Sequence, residues 1–195
     1  MRYADDGNIQ VRSAAATRVM ASVTRFVEGR RKLKVNRLKS AVDRPWRRKF
    51  LGFSFTSARQ PKRRIAPQAL AKFRRRVREL TRRRTRRKAS ELIDRLNQYL
   101  RGWRGYVVKC QTQAVLAELD AWVRARLRAW VRKEQEHPRN RFRQLAKRGV
   151  KPALAGWLVR QRWGPWRMAG ERMLGQALPP GWFDLQKLVR LKPVR

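Results

Sequence analysis

Residues 67–80 have the sequence PQALAKFRRRVREL. The apolar side chains Leu70, Phe73, Val77 and Leu80 recur at steps of three and four residues, which places them on one face of an α-helix. Pro67 fits the first helical turn, where its missing N–H is not needed. Most of the other positions are basic. The stretch therefore predicts an amphipathic helix with one side facing a core and a strongly cationic opposite side.

Further helices with apolar stripes are predicted after this one. Ser90 is a plausible N-cap for a helix that ends near Gly102 and Gly105. The next helix carries an apolar stripe from Val115 to Val131, and these three helices are expected to pack together. Shorter helical segments are predicted at residues 138–149, at 152–161 and from Gly164 onward, with Pro179-Pro180-Gly181 closing the last one.

The first 58 residues have a different pattern, with short runs of β-forming residues between turn signals. The runs Gly7–Val11, Leu33–Asn36 and Phe50–Thr56 predict strands, and Ala14–Arg30 predicts a helix. This order, β-α-β-β, makes an incomplete sheet with an open edge. The fold class that we expect is therefore α+β and mostly α, with an incomplete sheet at residues 1–58 and a helical region at 59–195.

The charge of the chain indicates the class of partner. The sequence has 52 Lys and Arg, 13 Asp and Glu, and a formal net charge of +39 on 195 residues. So large an excess of one sign indicates a polyanionic partner more than a basic surface that only contacts water. An anionic membrane is the other candidate, but no apolar run approaches the roughly 20 residues that cross a bilayer. With no secretory signal at Met1, we expect a cytoplasmic protein without a membrane partner.

A possible metal site lies at the start of the chain. Tyr3-Ala4-Asp5-Asp6 precedes a β-type run, so both carboxylates are expected in a tight hairpin turn with Gly7 and Asn8. Adjacent carboxylates repel unless a cation lies between them, as Mg²⁺ does in template-directed polymerases. The alternative is an acidic turn exposed to solvent. By contrast, one Cys and one His provide no zinc-ligand set.

A series of motifs follows Tyr-Ala-Asp-Asp in a characteristic order. These motifs are Leu33-Lys34-Val35-Asn36, Lys39-Ser40, Phe50-Leu51-Gly52-Phe53, Leu96-Asn97-Gln98-Tyr99-Leu100-Arg101-Gly102-Trp103, Leu119-Asp120-Ala121-Trp122-Val123-Arg124 with Arg126-Leu127-Arg128, and Gly164-Pro165-Trp166-Arg167. Tyr-Ala-Asp-Asp alone is weakly specific, whereas the ordered series is specific. On this series the chain resembles the group II intron reverse transcriptase/maturase family over essentially its whole length.

The resemblance implies a role for each part of the chain. Residues 1–58 would be the C-terminal part of a reverse transcriptase palm, and residues 59–195 the thumb and maturase-specific domain. Asp5 and Asp6 would be catalytic carboxylates that bind Mg²⁺, with Tyr3 beside the primer terminus. Lys39 would contact phosphate, and Gly52 would lie in the hairpin that supports the primer strand.

The partner implied for the basic helices is group II intron RNA, with an RNA template and a DNA primer as further partners of full-length relatives. Arg suits this role because it contacts phosphate through two parallel hydrogen bonds and stacks on bases. The implied nucleic-acid-binding residues of the helices are Arg74, Arg75, Arg76, Arg78, Arg82, Arg83, Arg84, Arg86, Arg87, Lys88, Arg124 and Arg128.

The chain also departs from the family pattern. The fingers and a further catalytic Asp lie upstream of Tyr-Ala-Asp-Asp in the family, whereas here the motif begins at Tyr3. Neither Glu28 nor Asp43 is an obvious substitute for that Asp. Leu38 stands where the family commonly has an acidic residue. We therefore expect a C-terminal fragment that does not synthesise DNA alone.

Three interpretations follow from the sequence. The first is a fragment of a reverse transcriptase/maturase that retains RNA binding and splicing assistance, while full-length members also copy RNA into DNA for retrohoming. The second is a stand-alone maturase-like protein that binds RNA without polymerase activity. The third is an unrelated basic protein that binds RNA or DNA.

Overall fold

A computed structural model describes residues 2–3, 6–82, 89–134 and 137–192 of the chain. The chain divides into two compact units, Met1–Ala66 and Pro67–Arg195. The division at residue 58 expected from the sequence falls between two paired strands, and both of these strands belong to the first unit.

Among its described residues, the first unit contains two separate antiparallel strand pairs and one long helix. Tyr3 lies opposite Asp6 in the first pair, and Ser54 lies opposite Arg64 in the second. The predicted helix is confirmed, although none of its residues is buried. The elements are β1 (Arg2–Tyr3), β2 (Asp6–Gly7), α1 (Ala16–Gly29), β3 (Phe53–Phe55) and β4 (Arg63–Ile65).

The strand predicted at Leu33–Asn36 is wrong, because these residues belong to an irregular segment that ends in a turn. Asn36 explains the difference: its side-chain oxygen accepts the backbone N–H groups of Leu38 and Lys39, each at 3.2 Å. An Asn side chain that binds nearby backbone in this way favours a turn over strand pairing. The strand predicted at Gly7–Val11 is also wrong beyond Gly7, where β2 ends.

The strand predicted at Phe50–Thr56 is interrupted by a tight turn. Phe50 and Phe53 exchange backbone hydrogen bonds of 2.9 and 3.0 Å across Leu51 and Gly52. Leu51 and Gly52 have φ values of +48° and +75°, and two consecutive positive φ values are what a two-residue hairpin turn requires. The regular strand therefore begins only at Phe53, and its partner β4 was not predicted because Arg63 and Arg64 mask the β pattern.

The second unit consists of helices among the described residues. They are α2 (Pro67–Leu80), α3 (Ala89–Val107), α4 (Gln113–Glu134), α5 (Pro138–Lys147), α6 (Pro152–Arg160), α7 (Pro165–Gly170), α8 (Arg172–Ala177) and α9 (Pro180–Leu185). The predicted helices are confirmed as α2 to α6, with boundaries shifted by a few residues, whereas the segment predicted from Gly164 onward is divided into α7 and α8, and α9 was not predicted. Helix α2 packs on α3, α4 on α7 and α5 on α6, and α8 contacts both α6 and α7.

The core of the second unit includes the predicted apolar stripes of α2, α3 and α4, together with side chains from the later helices and the terminal segment. Phe73 of α2 is completely buried, and its ring centroid lies 4.2 Å from that of Trp103 and 5.7 Å from that of Tyr99 on α3. Burial of such aromatic and aliphatic side chains supplies most of the free energy that stabilises a helical domain. Other fully buried core residues are Val77, Leu92, Leu96, Leu100, Leu116, Leu119, Leu158, Met168, Leu178, Phe183 and Leu191.

The end of the chain differs from the prediction. Pro179-Pro180-Gly181 does not close the helical region, because α9 begins at Pro180, where a proline in the first turn is tolerated. After α9, residues 187–192 lie against α3: the Asn97 amide donates to the carbonyl of Lys187 at 2.9 Å and accepts the N–H of Val189 at 2.8 Å. The terminal segment is therefore part of the second unit.

The predicted fold class, α+β and mostly α, is confirmed. Over the ranges that the structure describes, none of the helices combines the length and the apolar character required to span a bilayer.

Candidate nucleic-acid interface

Helix α2 separates its apolar and basic side chains onto opposite sides. Phe73 and Val77 are buried, which directs the intervening positions outward. Arg74, Arg75 and Arg78 are exposed there, as is Arg76. The α-helical period alone produces this arrangement, because residues 73 and 77 share a face that residues 74, 75 and 78 do not. Among the predicted site residues, these four are thus brought together on one exposed surface, which we call the α2 basic face.

Little negative charge lies beside the α2 basic face. The ion pair described on this helix joins Arg76 Nη1 to Glu79 Oε2 at 3.0 Å, and both side chains are about half exposed. An exposed pair of this kind contributes little free energy. Because 13 acidic residues cannot neutralise 52 basic ones, most of the positive charge is available to a polyanion.

The segment that follows α2 is described only in part. Arg82 is exposed just after the helix, and its N–H donates to the Glu79 carbonyl at 3.2 Å. The other predicted RNA-binding residues of this segment, Arg83, Arg84, Arg86, Arg87 and Lys88, lie outside the described residues.

Helix α4 holds the two remaining predicted arginines, and the structure gives them different surroundings. Arg128 is half-buried: its Nε and Nη2 donate to the Leu178 carbonyl at 3.0 and 2.9 Å, and its guanidinium lies 5.4 Å from the Phe183 ring centroid. Burial, and the charge of Arg124, lower the pKa of Arg128. Arg128 therefore ties the loop before α9 to α4, whereas Arg124 is half-exposed.

Two arginine–tryptophan contacts adjoin the α2 basic face. The guanidinium of Arg78 on α2 lies 5.7 Å from the ring centroid of Trp122 on α4. Arg126 stands one turn after Trp122 on α4, and its guanidinium lies 5.5 Å from the ring centroid of Trp166. Arg126 also donates from Nε and Nη2 to Thr81 Oγ1 at 3.2 and 2.9 Å. We call the set Arg78, Trp122, Arg126 and Trp166 the arginine–tryptophan cluster.

The buried hydroxyl of Thr81 holds the Arg126 side chain of the cluster in place. Thr81 is 5% exposed, and its Oγ1 donates to the Val77 carbonyl at 2.7 Å while it accepts from Arg126. Burial, and then the positive charge of Arg78, lower the pKa of Arg126. The two guanidinium groups are thus close enough to repel each other, and an anion between them would relieve that repulsion.

Sequence reasoning missed Arg126, Thr81 and Trp166 as site residues. Arg126 and Trp166 both belong to motifs that carry the family resemblance, Arg126-Leu127-Arg128 and Gly164-Pro165-Trp166-Arg167, but neither residue was assigned a role in RNA binding. Trp166 is in fact 51% exposed, and Trp122 is half-exposed. One signal was present in the sequence, because Trp122 and Arg126 stand four residues apart and so share a face of α4.

The predicted polymerase residues lie in the first unit. Asp6 is exposed on β2, opposite Tyr3 of β1, so it belongs to a strand and not to the predicted turn. Asp5 lies outside the described residues, and for Tyr3 only the backbone is described. Within the described part of the chain, no group of three or more His, Cys, Asp and Glu side chains could hold a metal ion.

Lys39 and Gly52 occupy turns of the first unit. Lys39 is exposed in the turn formed by Asn36, which leaves its ammonium group open to solvent. Gly52 does not lie within a regular strand, as the predicted strand Phe50–Thr56 required, but takes a left-handed position in the turn between Phe50 and Phe53. The hairpin predicted at these four residues is present, and the glycine is explained by the turn geometry alone.

Comparison with known protein families identifies the helical region. The family model described as "Group II intron, maturase-specific domain" matches residues 70–149, from the first turns of α2 to the end of α5. The match includes the α2 basic face and, in the cluster, Arg78, Trp122 and Arg126, whereas Trp166 and the first 69 residues lie outside it. A search of curated proteins found no match to the chain. This match agrees with the resemblance noted in the sequence, and residues 70–149 are therefore similar to the maturase-specific domain of group II intron proteins.

Proposed function

We propose that this chain binds group II intron RNA through the α2 basic face and thereby assists splicing. The observation that carries the proposal is the position of Arg74, Arg75 and Arg78 on one exposed face within the matched domain. Phosphate contacts of this kind orient a protein on RNA and make its affinity depend on salt. We expect this binding to take place in the cytoplasm.

A matched pair of triple variants tests the role of the α2 basic face. In the first variant Arg74 and Arg75 of the α2 basic face and Arg82, which is exposed just after α2, are replaced by Gln. In the second variant Arg12, Arg18 and Arg25 of the first unit are replaced by Gln. All six residues are exposed, so the two variants lose the same charge. We expect the first variant to bind group II intron RNA much more weakly than the second.

The salt dependence gives the number of contacts. Each lost phosphate contact lowers the slope of log K against log salt concentration by roughly 0.7 to 0.9, so the first variant should lose about two units of slope. Equal losses of RNA affinity and of salt slope in the two variants would contradict the α2 basic face as the binding surface. Equal affinity of the wild-type chain for intron RNA and for an unrelated structured RNA of the same length would favour the third interpretation, a general basic protein.

Splicing assistance is tested by following excision of a group II intron RNA with and without the chain. We expect the wild-type chain to increase the spliced fraction and the α2 triple variant to increase it less. If both proteins leave splicing unchanged while RNA binding persists, the proposal is reduced to RNA binding.

RNA-directed DNA synthesis and retrohoming are proposed only for a longer family member. In such a protein Asp5 and Asp6 would hold Mg²⁺, which would stabilise the charge that develops during nucleotide addition. For this chain the alternative is a maturase-like role without polymerase activity. Primer extension on an RNA template with Mg²⁺ tests whether this chain has polymerase activity. We expect no product, and robust extension by the chain alone would contradict this expectation.

A further inference from the structure

Trp166 is an exposed aromatic side chain of the second unit that lies in contact with an arginine. It stands in the first turn of α7 and is 51% exposed, although α7 also buries Met168 and Ala169. The guanidinium of Arg126 lies 5.5 Å from its ring centroid. Arg126 therefore partly covers the indole, and about half of Trp166 is open to solvent.

Arg126 is held in this position. Its Nε and Nη2 donate to Thr81 Oγ1, and Thr81 in turn donates to the backbone of α2. Because an exposed guanidinium has several free torsions, this anchoring lowers the conformational entropy lost when the Arg126–Trp166 pair binds a ligand. The described hydrogen bonds use Nε and Nη2, and Nη1 has none among them.

The charge around the pair selects the kind of ligand. Arg78 belongs to the same cluster through its contact with the Trp122 ring, and the ion pairs described for the chain do not include Arg78 or Arg126. A ligand that combines a flat apolar surface with an adjacent anion matches an indole beside two guanidinium groups. A nucleotide has this combination, since its base stacks on aromatic rings and its phosphate binds Arg.

We propose that Trp166 and Arg126 form a stacking site for one unpaired base of RNA, with Arg78 and Arg126 contacting the phosphate beside it. The base must be unpaired because duplex bases are already stacked and do not present their faces. This inference rests on the proposed function and adds to it a preference for single-stranded RNA segments, such as loops and bulges. Trp166, which would stack on the base, lies outside the matched residues 70–149.

The test uses the full chain and two RNA probes. The first probe is a single strand of about ten nucleotides, within the site size of a stacking groove, with 2-aminopurine at its centre. The second is the duplex of the same sequence. Affinity is measured for the wild-type chain, Trp166→Ala and Trp166→Phe. Phe142→Ala on α5 is the matched control, because Phe142 is an exposed aromatic residue on a basic helix of the same unit.

We expect Trp166→Ala to bind the single strand about 5- to 100-fold more weakly, in line with the loss of one stacked base. Its affinity for the duplex should change by less than about twofold, since phosphate contacts dominate there. The wild-type chain should quench 2-aminopurine fluorescence, and Trp166→Ala should not. Trp166→Phe, which keeps an aromatic face and preserves the fold, should restore most of the affinity and quenching.

Three outcomes would overturn the inference. Trp166→Ala could bind the single strand with wild-type affinity and quenching, or Phe142→Ala could lose as much affinity as Trp166→Ala. A fall in the sedimentation mass of the RNA-free protein on Trp166→Ala, without a change in RNA affinity, would assign the exposed indole to self-association. If the wild-type chain binds neither probe nor intron RNA, the proposed function fails as well, so the two failures are distinguishable.

Discussion

The carboxylate of Asp120 on α4 accepts the backbone N–H of Leu191 at 2.8 Å, across a separation of 71 residues. Its second oxygen accepts the N–H of Lys192 at 3.0 Å. Asp120 is 7% exposed, so a carboxylate is buried here without an ion pair among the described contacts, and backbone N–H groups replace its lost hydration. Together with Asn97 it holds residues 187–192 against α3 and α4.

Replacing Asp120 with Ala should destabilise the second unit. Two backbone N–H groups would lose a charged acceptor in a buried position, which costs about 2 to 3 kcal/mol. Denaturant unfolding monitored by circular dichroism measures this loss. Asp94→Ala is the control, because Asp94 is exposed on α3 and its replacement removes the same charge. Equal stability of the two variants would contradict a structural role for Asp120.

Asn97 and Asp120 should act as a coupled pair because they hold the same segment. Once one of them is replaced by Ala and residues 187–192 are loosened, the second replacement has fewer contacts left to break. We expect the free energy lost by the double variant to be smaller than the sum of the single losses by about 0.5 to 1 kcal/mol. A double-mutant cycle in denaturant measures this difference, and strict additivity would show that the two side chains act independently.

Gly52→Ala should destabilise the first unit by about 1 kcal/mol or slightly more, because a side chain at a φ of +75° is strained. Gly29→Ala provides the matched control: Gly29 lies in α1, and a Cβ added there meets nothing within 4 Å. In that helical position Ala should be neutral or stabilising by up to about 1 kcal/mol. Thermal unfolding distinguishes the two, and equal effects would argue against the turn geometry.

The Asp184–Arg190 pair should make a small contribution that depends on pH. The side-chain hydrogen bond from Arg190 is the largest cause that lowers the pKa of Asp184 below its ordinary value of 3.8. A lowered carboxyl pKa stabilises the folded state above the ordinary pKa, and this stabilisation is lost as pH falls through the folded pKa. Because both side chains are more than a third exposed, the effect at neutral pH should be below about 1 kcal/mol.

Asp184→Asn tests this pair against Asp94→Asn, which removes one negative charge elsewhere. The Asp184 variant should be slightly less stable than the control at neutral pH, and the difference should disappear as the pH falls through the lowered pKa of Asp184, where its carboxyl group becomes protonated. A difference that persisted unchanged in acid would assign the effect to packing and not to the ion pair.

The helices could be predicted from the sequence because each buries a stripe with a clear period. Phe73 and Val77 illustrate this, since their spacing alone gives the direction of the α2 basic face. The short strands of the first unit could not be predicted equally well. Their limits depend on turns set by single residues, such as the side chain of Asn36 and the left-handed Gly52, which outweigh local β propensity.

The candidate site was only partly predictable for a different reason. The arginines of α2 are visible as a run in the sequence, but Arg126 and Trp166 meet only after α4 and α7 pack together. Similarly, Asn97 and Asp120 are polar residues beside apolar stripes, and their long-range partners are backbone groups that carry no sequence signal. Local periodicity predicts which face is exposed, whereas the contacts across that face depend on tertiary packing.

Thr81 is predicted to position Arg126 for RNA binding without touching the RNA. Thr81→Val keeps the shape of the side chain but removes the oxygen that accepts from Arg126 and donates to Val77, which should cost about 1 to 2 kcal/mol of stability. Thr81→Ser keeps the hydroxyl. We expect Thr81→Val to weaken binding of the single-stranded probe while Thr81→Ser stays close to wild type, because only the former releases Arg126 from its place beside Trp166.

Affinity is measured under conditions in which both variants are fully folded, so that the stability loss does not enter the comparison. If the two variants bind the probe equally well, the orientation of Arg126 does not depend on Thr81, and the cluster must be held by the packing of α4 against α7 alone.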